Sequence, residues 1–387
     1  MNIDINEFLR EMRPHVRRFV VERMEPISRA MDSGGELPQS AFEELRNQGY
    51  LGMRLPTSEG GGGFDLSTYC LVMEELSRSH RIYTLMLDAS SGLTPIAISK
   101  FGTSDQKNKF LPKLSSGEWV ASFALTEPEA GSDAAAIKTT AKKDDVGWVL
   151  NGVKHYISWA HRAQVILVIA LTDPIKKAKG GISAFLVEKN TPGMNIVRVD
   201  KTIGSDAIEL AEIHFTDCFI ANDAIIGQVG EGFGIAMSSL TAGRMGVSAA
   251  CLGAADRLIE LATEHVQSRI TFGQALSQRQ AIQWMLADSA TELAVARALA
   301  YETLRQIDAG SDPGIAPNMV KLYCSEMVGR VADRAVQIFG GSGLIRGFNV
   351  ERFYRDVRHY RIGEGSSEIQ RMLIAKDLFK SSHSSKR

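Results

Sequence analysis

The chain has 387 residues, 44% of them hydrophobic and 23% charged, and a formal net charge of -1 at pH 7. That length can bury two or three structural units, and the balance is that of a soluble globular protein with no electrostatic drive toward nucleic acid or an acidic membrane. Its four cysteines, Cys70, Cys218, Cys251 and Cys324, lie far apart, which excludes a paired zinc motif and a disulfide framework.

No apolar run reaches bilayer length, and the acidic start Met1-Asn-Ile-Asp-Ile-Asn-Glu7 lacks the layout of a signal peptide or presequence. A reduced, cytoplasmic setting is expected. From Ile5 to about Gly117 the pattern is helical: Leu9, Val16, Phe19 and Val20 recur at helix spacing, and residues 38–47, 66–76 and 82–101 continue the series. The five arginines from Arg10 to Arg23 are interleaved with Glu7, Glu11 and Glu22, which reads as the solvated face of a helix. Between two of these helices, Glu59-Gly-Gly-Gly-Gly-Phe-Asp65 is either a loop over a ligand or a plain connector.

At Trp119 the texture changes. Residues 120–125, 148–157 around an Asn151-Gly152 turn, 165–171, 182–187 and 209–215 are short β-branched and aromatic runs that predict a small antiparallel sheet domain. After Gly230-Glu-Gly-Phe233 the helical period returns, with Ile282, Met285, Leu286, Leu293 and Ala296 on one face and a long helix over 319–339. The Ser/Lys-rich tail after Phe379 is expected to be disordered.

Four stretches carry candidate chemistry. Phe123-Ala-Leu-Thr-Glu-Pro-Glu-Ala-Gly-Ser-Asp133 runs off a predicted strand, offering the hydroxyls of Thr126 and Ser132 on a tight turn whose N–H groups can face an anion or a ring edge. Arg269-Ile-Thr-Phe-Gly273 is either a linker capped by Thr271 or a set suited to phosphate and stacking. Gln337-Ile-Phe-Gly-Gly-Ser-Gly343 closes a helix with glycines. Arg361-Ile-Gly-Glu-Gly-Ser-Ser-Glu-Ile-Gln370 sets Glu364 between two glycines and ahead of two serines at a helix start.

The glycine motifs do not make a dinucleotide fingerprint. Gly347 follows Gly341-Ser-Gly343 one residue too late and a helix precedes it, while Gly230-Glu-Gly-Phe-Gly234 lacks a third glycine at the required spacing. Walker-type and His-Glu-x-x-His motifs are absent, and the eight histidines form no ligand cluster, so no metal is expected.

In this order and at about these spacings, Thr126-Glu-Pro-x-Ala-Gly-Ser-Asp133, Arg269-x-Thr-Phe-Gly273, Gln337-Ile-x-Gly-Gly341 and Glu364-Gly-x-Ser-x-Ile-Gln370 resemble the acyl-CoA dehydrogenases, from near residue 5 to about Leu378. The resemblance implies an α+β multidomain protein: an N-terminal helical domain (1–117), a middle antiparallel β domain (118–228), a C-terminal four-helix bundle (229–380) and a tail (381–387). It implies FAD, an acyl-CoA substrate, an electron-transfer flavoprotein as electron acceptor, and a homotetramer built as a dimer of dimers, with no nucleic-acid or membrane partner.

Carried over by motif, Phe123, Leu125, Thr126, Gly131, Ser132, Tyr156, Ile157 and Ser158 would line the flavin ring, with Thr126 and Ser158 bonding its edge. Arg269, Thr271, Phe272, Arg279 and Gln280, with Gln337, Ile338, Phe339, Gly340 and Gly341, would hold the pyrophosphate and adenosine from an adjoining chain, and Ser366 and Glu368 complete the cofactor set. Ser132, Thr241, Arg244 and Gly365 would contact the CoA thioester, and Glu364 would be the catalytic base. Taking an α-proton beside a thioester needs a base with little water around it, and burial in an apolar slot would raise the Glu364 pKa toward neutrality.

The chain also departs from the family pattern. Tyr156 stands for a usual Trp, Glu129 for a small residue, and Trp159-Ala-His161 for an Asn-Gly type turn. The alternative base position falls at about Gly243, which cannot serve. Gly363 replaces a frequent Tyr and is expected to widen the pocket for a bulky, branched or cyclic acyl group. Alternatives on the same fold are an oxidase, a dehydrogenase with coupled decarboxylation or elimination, for which no arginine falls in the tail pocket although Arg81 is near enough to leave it open, and a non-catalytic flavin- or nucleic-acid-binding relative. The last needs a basic surface or a missing base, and the sequence has neither.

Overall fold

The computed structural model describes residues 7–32, 36–347 and 349–384, with side chains to 380. The expected helical start at Ile5 lies outside them. Helix α1 (Glu7–Phe19) buries Leu9, Val16 and Phe19 and passes through a π-helical turn (Val20–Met24) into α2 (Glu25–Asp32). Next come α3 (Gln39–Asn47), α4 (Leu66–Ser77), α5 (Arg81–Ser91), α6 (Leu93–Phe101) and α7 (Ser104–Ser115). Asp65 caps α4 by accepting from Thr68 N, and Thr103 with Gln106 forms a capping box on α7. The single helix expected over 82–101 is broken at Gly92, where the Asp88 carboxylate folds back into the space a side chain would need.

Helix α4 is buried along its whole length, Glu74 and Glu75 included. Arg13 and Arg17 answer those charges, while Arg10 and Arg18 stay on the exposed side of α1, so the expected solvated face holds only in part. Arg13 donates to Glu74 at 2.9 Å and to Glu75 at 2.8 Å, and Arg17 reaches Glu75 at 2.8 Å. From the far side Arg297 and the Tyr301 hydroxyl each approach Glu74 at 2.7 Å.

The middle unit is one eight-stranded sheet in the order β6-β7-β3-β2-β4-β5-β8, with β1 also paired to β4. Its strands are β1 (Ala121–Ala124), β2 (Thr140–Lys143), β3 (Gly147–Ser158), β4 (Val165–Leu171), β5 (Ile182–Glu188), β6 (Met194–Lys201), β7 (Glu209–Ala221) and β8 (Ile225–Ile226). Pairing is largely antiparallel, but β4 runs parallel to β1 and β2. Both faces of β4 are covered, which explains its unbroken apolar run. Val165, Leu167 and Ile169 meet Leu111, Leu114 and Ile235 from the helices, while Ile166, Val168 and Ala170 pack with Trp148 and Phe185.

No turn forms at Asn151-Gly152. Strand β3 runs straight through it as a bulge, the register with β7 slipping between Leu150↔Cys218 and Gly152↔Phe215. Gly152 is required there because its Cα lies against Thr139 and its φ is +146°. Strands β2 and β6 escaped the sequence reading because lysines, Arg198 and Asp200 mask their alternation; β6 is an edge strand with exposed Val197 and Val199.

The C-terminal unit comprises α8 (Gly232–Ser268), a small hairpin of β9 (Ile270–Thr271) and β10 (Gln274–Ala275), α9 (Gln280–Asp308), α10 (Ala316–Phe339), α11 (Asn349–Val357) and α12 (Ser367–Ser384). Helix α10 lies at its centre against α8, α9 and α12. Helix α12 continues to Ser384, past the expected start of the disordered tail. One core joins α1, α4 and α5 to α8–α10, and a second joins the sheet to α6, α7 and the first turns of α8. Among the described residues no helix is long and apolar enough to cross a membrane.

Burial alone would raise the Glu74 pKa, but the Arg297 and Arg13 guanidiniums overcome it and hold the carboxyl down at about 2, against the usual 4.5. Glu74→Ala would strand those guanidiniums and should destabilise the fold by about 3–5 kcal/mol, read from denaturant unfolding. Because the folded value is depressed, Glu74's contribution is full above its usual pKa and is lost as pH falls toward the folded value. The gap between parent and variant should therefore narrow in acid.

Candidate active site

The polypeptide leaves α11 through a 3₁₀ turn (Arg358–Arg361) and reaches α12 by Ile362, Gly363, Glu364, Gly365 and Ser366. The acid itself takes the left-handed conformation, with φ +58° at Glu364 and +89° at Gly365, while Gly363 does not. For an L residue this costs on the order of 1–2 kcal/mol, so something must hold it.

Four side chains do. The Gln370 amide donates to the carbonyls of Glu364 (3.2 Å) and Gly365 (3.0 Å), and Lys321 Nζ donates to the Gly365 carbonyl at 2.6 Å. Arg244 Nε approaches the Glu364 carbonyl at 3.4 Å, and Asn318 fixes Gln370 at 2.7 Å. Lys321 and Gln370 have no exposed surface, so the bundle interior sets the loop. Ser366 Oγ accepts from Ile369 N at 3.4 Å, the cap that the serines suggested.

The Glu364 side chain turns inward. The residue as a whole keeps partial exposure, yet its Oε2 is sealed off with no hydrogen-bond partner. The carboxylate lies so close to Gly243 on α8 that a Cβ there would overlap both oxygens. Burial pushes the Glu364 pKa up to about 8, nearby Asp88 adds to the rise, and Arg244 and Lys321 pull it back. Burial likewise lowers the Lys321 ammonium to about 8.

Gly363 does not open a void, contrary to expectation. The His359 imidazole fills that space, its Nε2 only 2.6 Å from where a Cβ on residue 363 would sit.

The residues assigned to the ring edge converge at the ends of β1 and β3. His155 N donates to the Thr126 carbonyl at 2.9 Å and Ser122 Oγ to the Ser158 carbonyl at 2.7 Å, bringing Thr126 beside Tyr156, Ile157 and Ser158. Phe123 is on β1, Leu125 and Ile157 are buried, and Gly131 and Ser132 stand exposed at the turn. Tyr156 has φ +59° and stacks on His155 with centroids 3.8 Å apart.

The turn is braced from below by an ion pair the sequence reading missed. Glu127 accepts from Lys138 N (2.6 Å) and Thr139 N (2.9 Å), and Lys154, with no exposed surface, donates to Glu127 and to the Leu125 carbonyl, both at 2.8 Å.

A second group gathers on the bundle. Phe272 (φ +50°) and Gly273 form the tip of the β9–β10 hairpin, the Phe272 ring 97% exposed with the Arg279 guanidinium 5.9 Å from its centroid. Arg279 also donates to the Thr271 carbonyl at 2.8 Å, with Arg269 and Gln280 flanking. Ile338 and Phe339 pack with Leu276 and Ile282, which ties the Gln337 to Gly341 turn to the same region. Gly340 and Gly341 have open space where a Cβ would be.

Thr241 and Arg244 lie on α8 either side of Gly243, and Glu368 is exposed in the first turn of α12. Asp88, Asn318, Lys321 and His359 were also missed, and Gln370 stood in the motif without a role. Lys321 left one signal, a lone cation beside Val320 and Cys324 on the buried stripe of α10.

Models of the acyl-CoA dehydrogenase N-terminal, middle and C-terminal domains match residues 6–118, 122–218 and 230–379. The chain is 38% identical over 366 residues to the acryloyl-CoA reductase (NADH) of Anaerotignum propionicum, covering 94% of this chain and 92% of that protein. It is 36% identical over 380 residues to the mitochondrial short-chain specific acyl-CoA dehydrogenase of Bos taurus, covering 98% and 92%. Its fold matches butyryl-CoA dehydrogenase from Megasphaera elsdenii with a TM-score of 0.92 at 32% identity, over 98% of this chain and all of that one. The three domain matches, the full-length relatives and the shared architecture establish that the chain belongs to the acyl-CoA dehydrogenase family of oxidoreductases.

Proposed function

We propose that the protein is an FAD-dependent enzyme that converts an acyl-CoA thioester to its trans-2-enoyl-CoA, with Glu364 taking the α-proton and electrons passing on to an electron-transfer flavoprotein. The observation that carries this reading is the Glu364 carboxylate: unpaired, one oxygen sealed from solvent, held by a strained turn and raised to about 8. A carboxylate with no structural bond to keep is free to accept a proton, and its low hydration strengthens it as a base.

The residues present fit a flavin. Thr126 and Tyr156 to Ser158 offer hydroxyls and backbone at one strand end, the Phe272 ring and Arg279 stand clear for stacking and phosphate, and Gly340 and Gly341 leave backbone open to close approach. In a homotetramer the hairpin of a neighbouring copy would supply the adenosine end. FAD held there would supply the acceptor for the hydride that leaves the β-carbon. This chain's own residues do the rest: Arg244 and Gly365 lie beside the base where the thioester would be oriented, and Lys321 steadies the turn that aims Glu364.

A second reading is the reverse reaction, since one relative is named a reductase. With a pKa near 8, Glu364 is largely protonated at neutral pH and can return a proton to the α-carbon.

Anaerobic bleaching of the flavin by a panel of acyl-CoA thioesters should occur with at least one of them. Glu364→Gln should slow it about a hundred- to ten-thousand-fold, and an undiminished variant would remove Glu364 from the mechanism. In the direction of dehydrogenation kcat/KM should rise with pH and level off above about 8, because the base must be ionised; in the reductive direction it should fall. Lys321→Met removes a cation that favours the ionised base, so the inflection should move to higher pH, and Lys321→Arg should move it back. An inflection indifferent to both substitutions would reduce Lys321 to packing.

A further inference from the structure

We infer that His359 forms the wall of the acyl site beside the base and restricts the substrate to slim, unbranched acyl groups. The inference rests on the reading of Glu364 as the base. Gly363 directly precedes Glu364, and a Cβ on it would lie 2.6 Å from His359 Nε2 and 2.7 Å from Cε1, closer than real Cβ atoms approach. The imidazole therefore occupies the volume that a side chain at position 363 would enter. Backbone geometry fixes the pairing, since the His359 carbonyl accepts from Ile362 N at 2.8 Å and from Gly363 N at 3.0 Å.

The ring is backed and cannot easily retreat. Tyr360, 3% exposed, meets it edge-on with centroids 5.9 Å apart, and the Arg81 guanidinium lies 5.6 Å from the Tyr360 centroid. Neither imidazole nitrogen has a hydrogen-bond partner among the described residues, and the residue keeps partial exposure, so the ring is not fully enclosed by the fold. Burial, with the cations of Arg81 and Lys321 nearby, holds its pKa well below the usual histidine range, so the wall is an uncharged ring. A straight chain can pass such a wall. A branch or ring close to the reacting carbons must displace it.

The test uses FAD-loaded parent, His359→Ala and His359→Leu, with pentanoyl-CoA, 3-methylbutanoyl-CoA and cyclohexanecarbonyl-CoA, reading kcat/KM from anaerobic flavin reduction. The parent should favour pentanoyl-CoA over the other two by about tenfold or more, the range expected for a misplaced methyl group in a closed pocket. His359→Ala should erase or reverse that preference, and His359→Leu, which restores bulk without nitrogen, should keep it. Calorimetric affinities of the same thioesters on a Glu364→Gln background should follow the same order without turnover. Bleaching with a preference that His359→Ala leaves unchanged, or that His359→Leu loses as fully as alanine does, overturns the inference alone. Failure of every thioester to bleach the parent overturns the dehydrogenase reading and this inference with it.

Discussion

The arrangement at position 364 depends on one buried contact, the Lys321 ammonium against the Gly365 carbonyl at 2.6 Å. Lys321 has no carboxylate within ion-pairing distance among the described residues, so in the bundle interior it is answered by a carbonyl and by the field of Glu364 nearby. Such a cation is costly unless well hydrogen-bonded. Together with Gln370 it turns two consecutive carbonyls toward the core, which leaves Glu364 in the left-handed region and directs its side chain to Gly243. Strain at a reactive acid is thus sustained by packing elsewhere.

Helix α8 carries that constraint to the rest of the molecule. Its first turns pack on the sheet through Ile235 and Ala236, and its later turns enter the core shared with α1, α4 and α5. Gly243 lies between these contacts. At the other end of the site, the Glu127–Lys154 pair fixes the turn that follows β1 and joins it to β3. The two halves of the site are therefore each braced by a fully buried lysine that donates to a backbone carbonyl.

The architecture was legible because its signals are local and redundant. Apolar periodicity marked α4, α9 and α10, and the unbroken run at residues 165–171 matched β4 to the residue. The role of Asn151-Gly152 was not legible, since the same dipeptide serves a hairpin turn or a bulge and only the partner strand decides. Motifs pointed to Glu364 and included Gln370 without a role for it, but they did not reach Lys321 or His359, whose relevance comes from packing around the loop. Gly363 shows the limit most plainly. A missing side chain reads as space in a sequence, and whether a neighbour has moved into it is a fact of packing.

Strand β6 pairs with β7 on one side and ends the sheet on the other. An uncovered edge of that kind offers a row of backbone donors and acceptors to any passing strand. Here Arg198, Asp200 and Lys201 lie along that strand, Arg198 already paired to Asp200 and Glu212, so a strand added at this edge would have to strip hydration from charged side chains that have partners of their own. The charges that hid this strand from the hydropathy pattern thus also make its edge costly for another strand to cover.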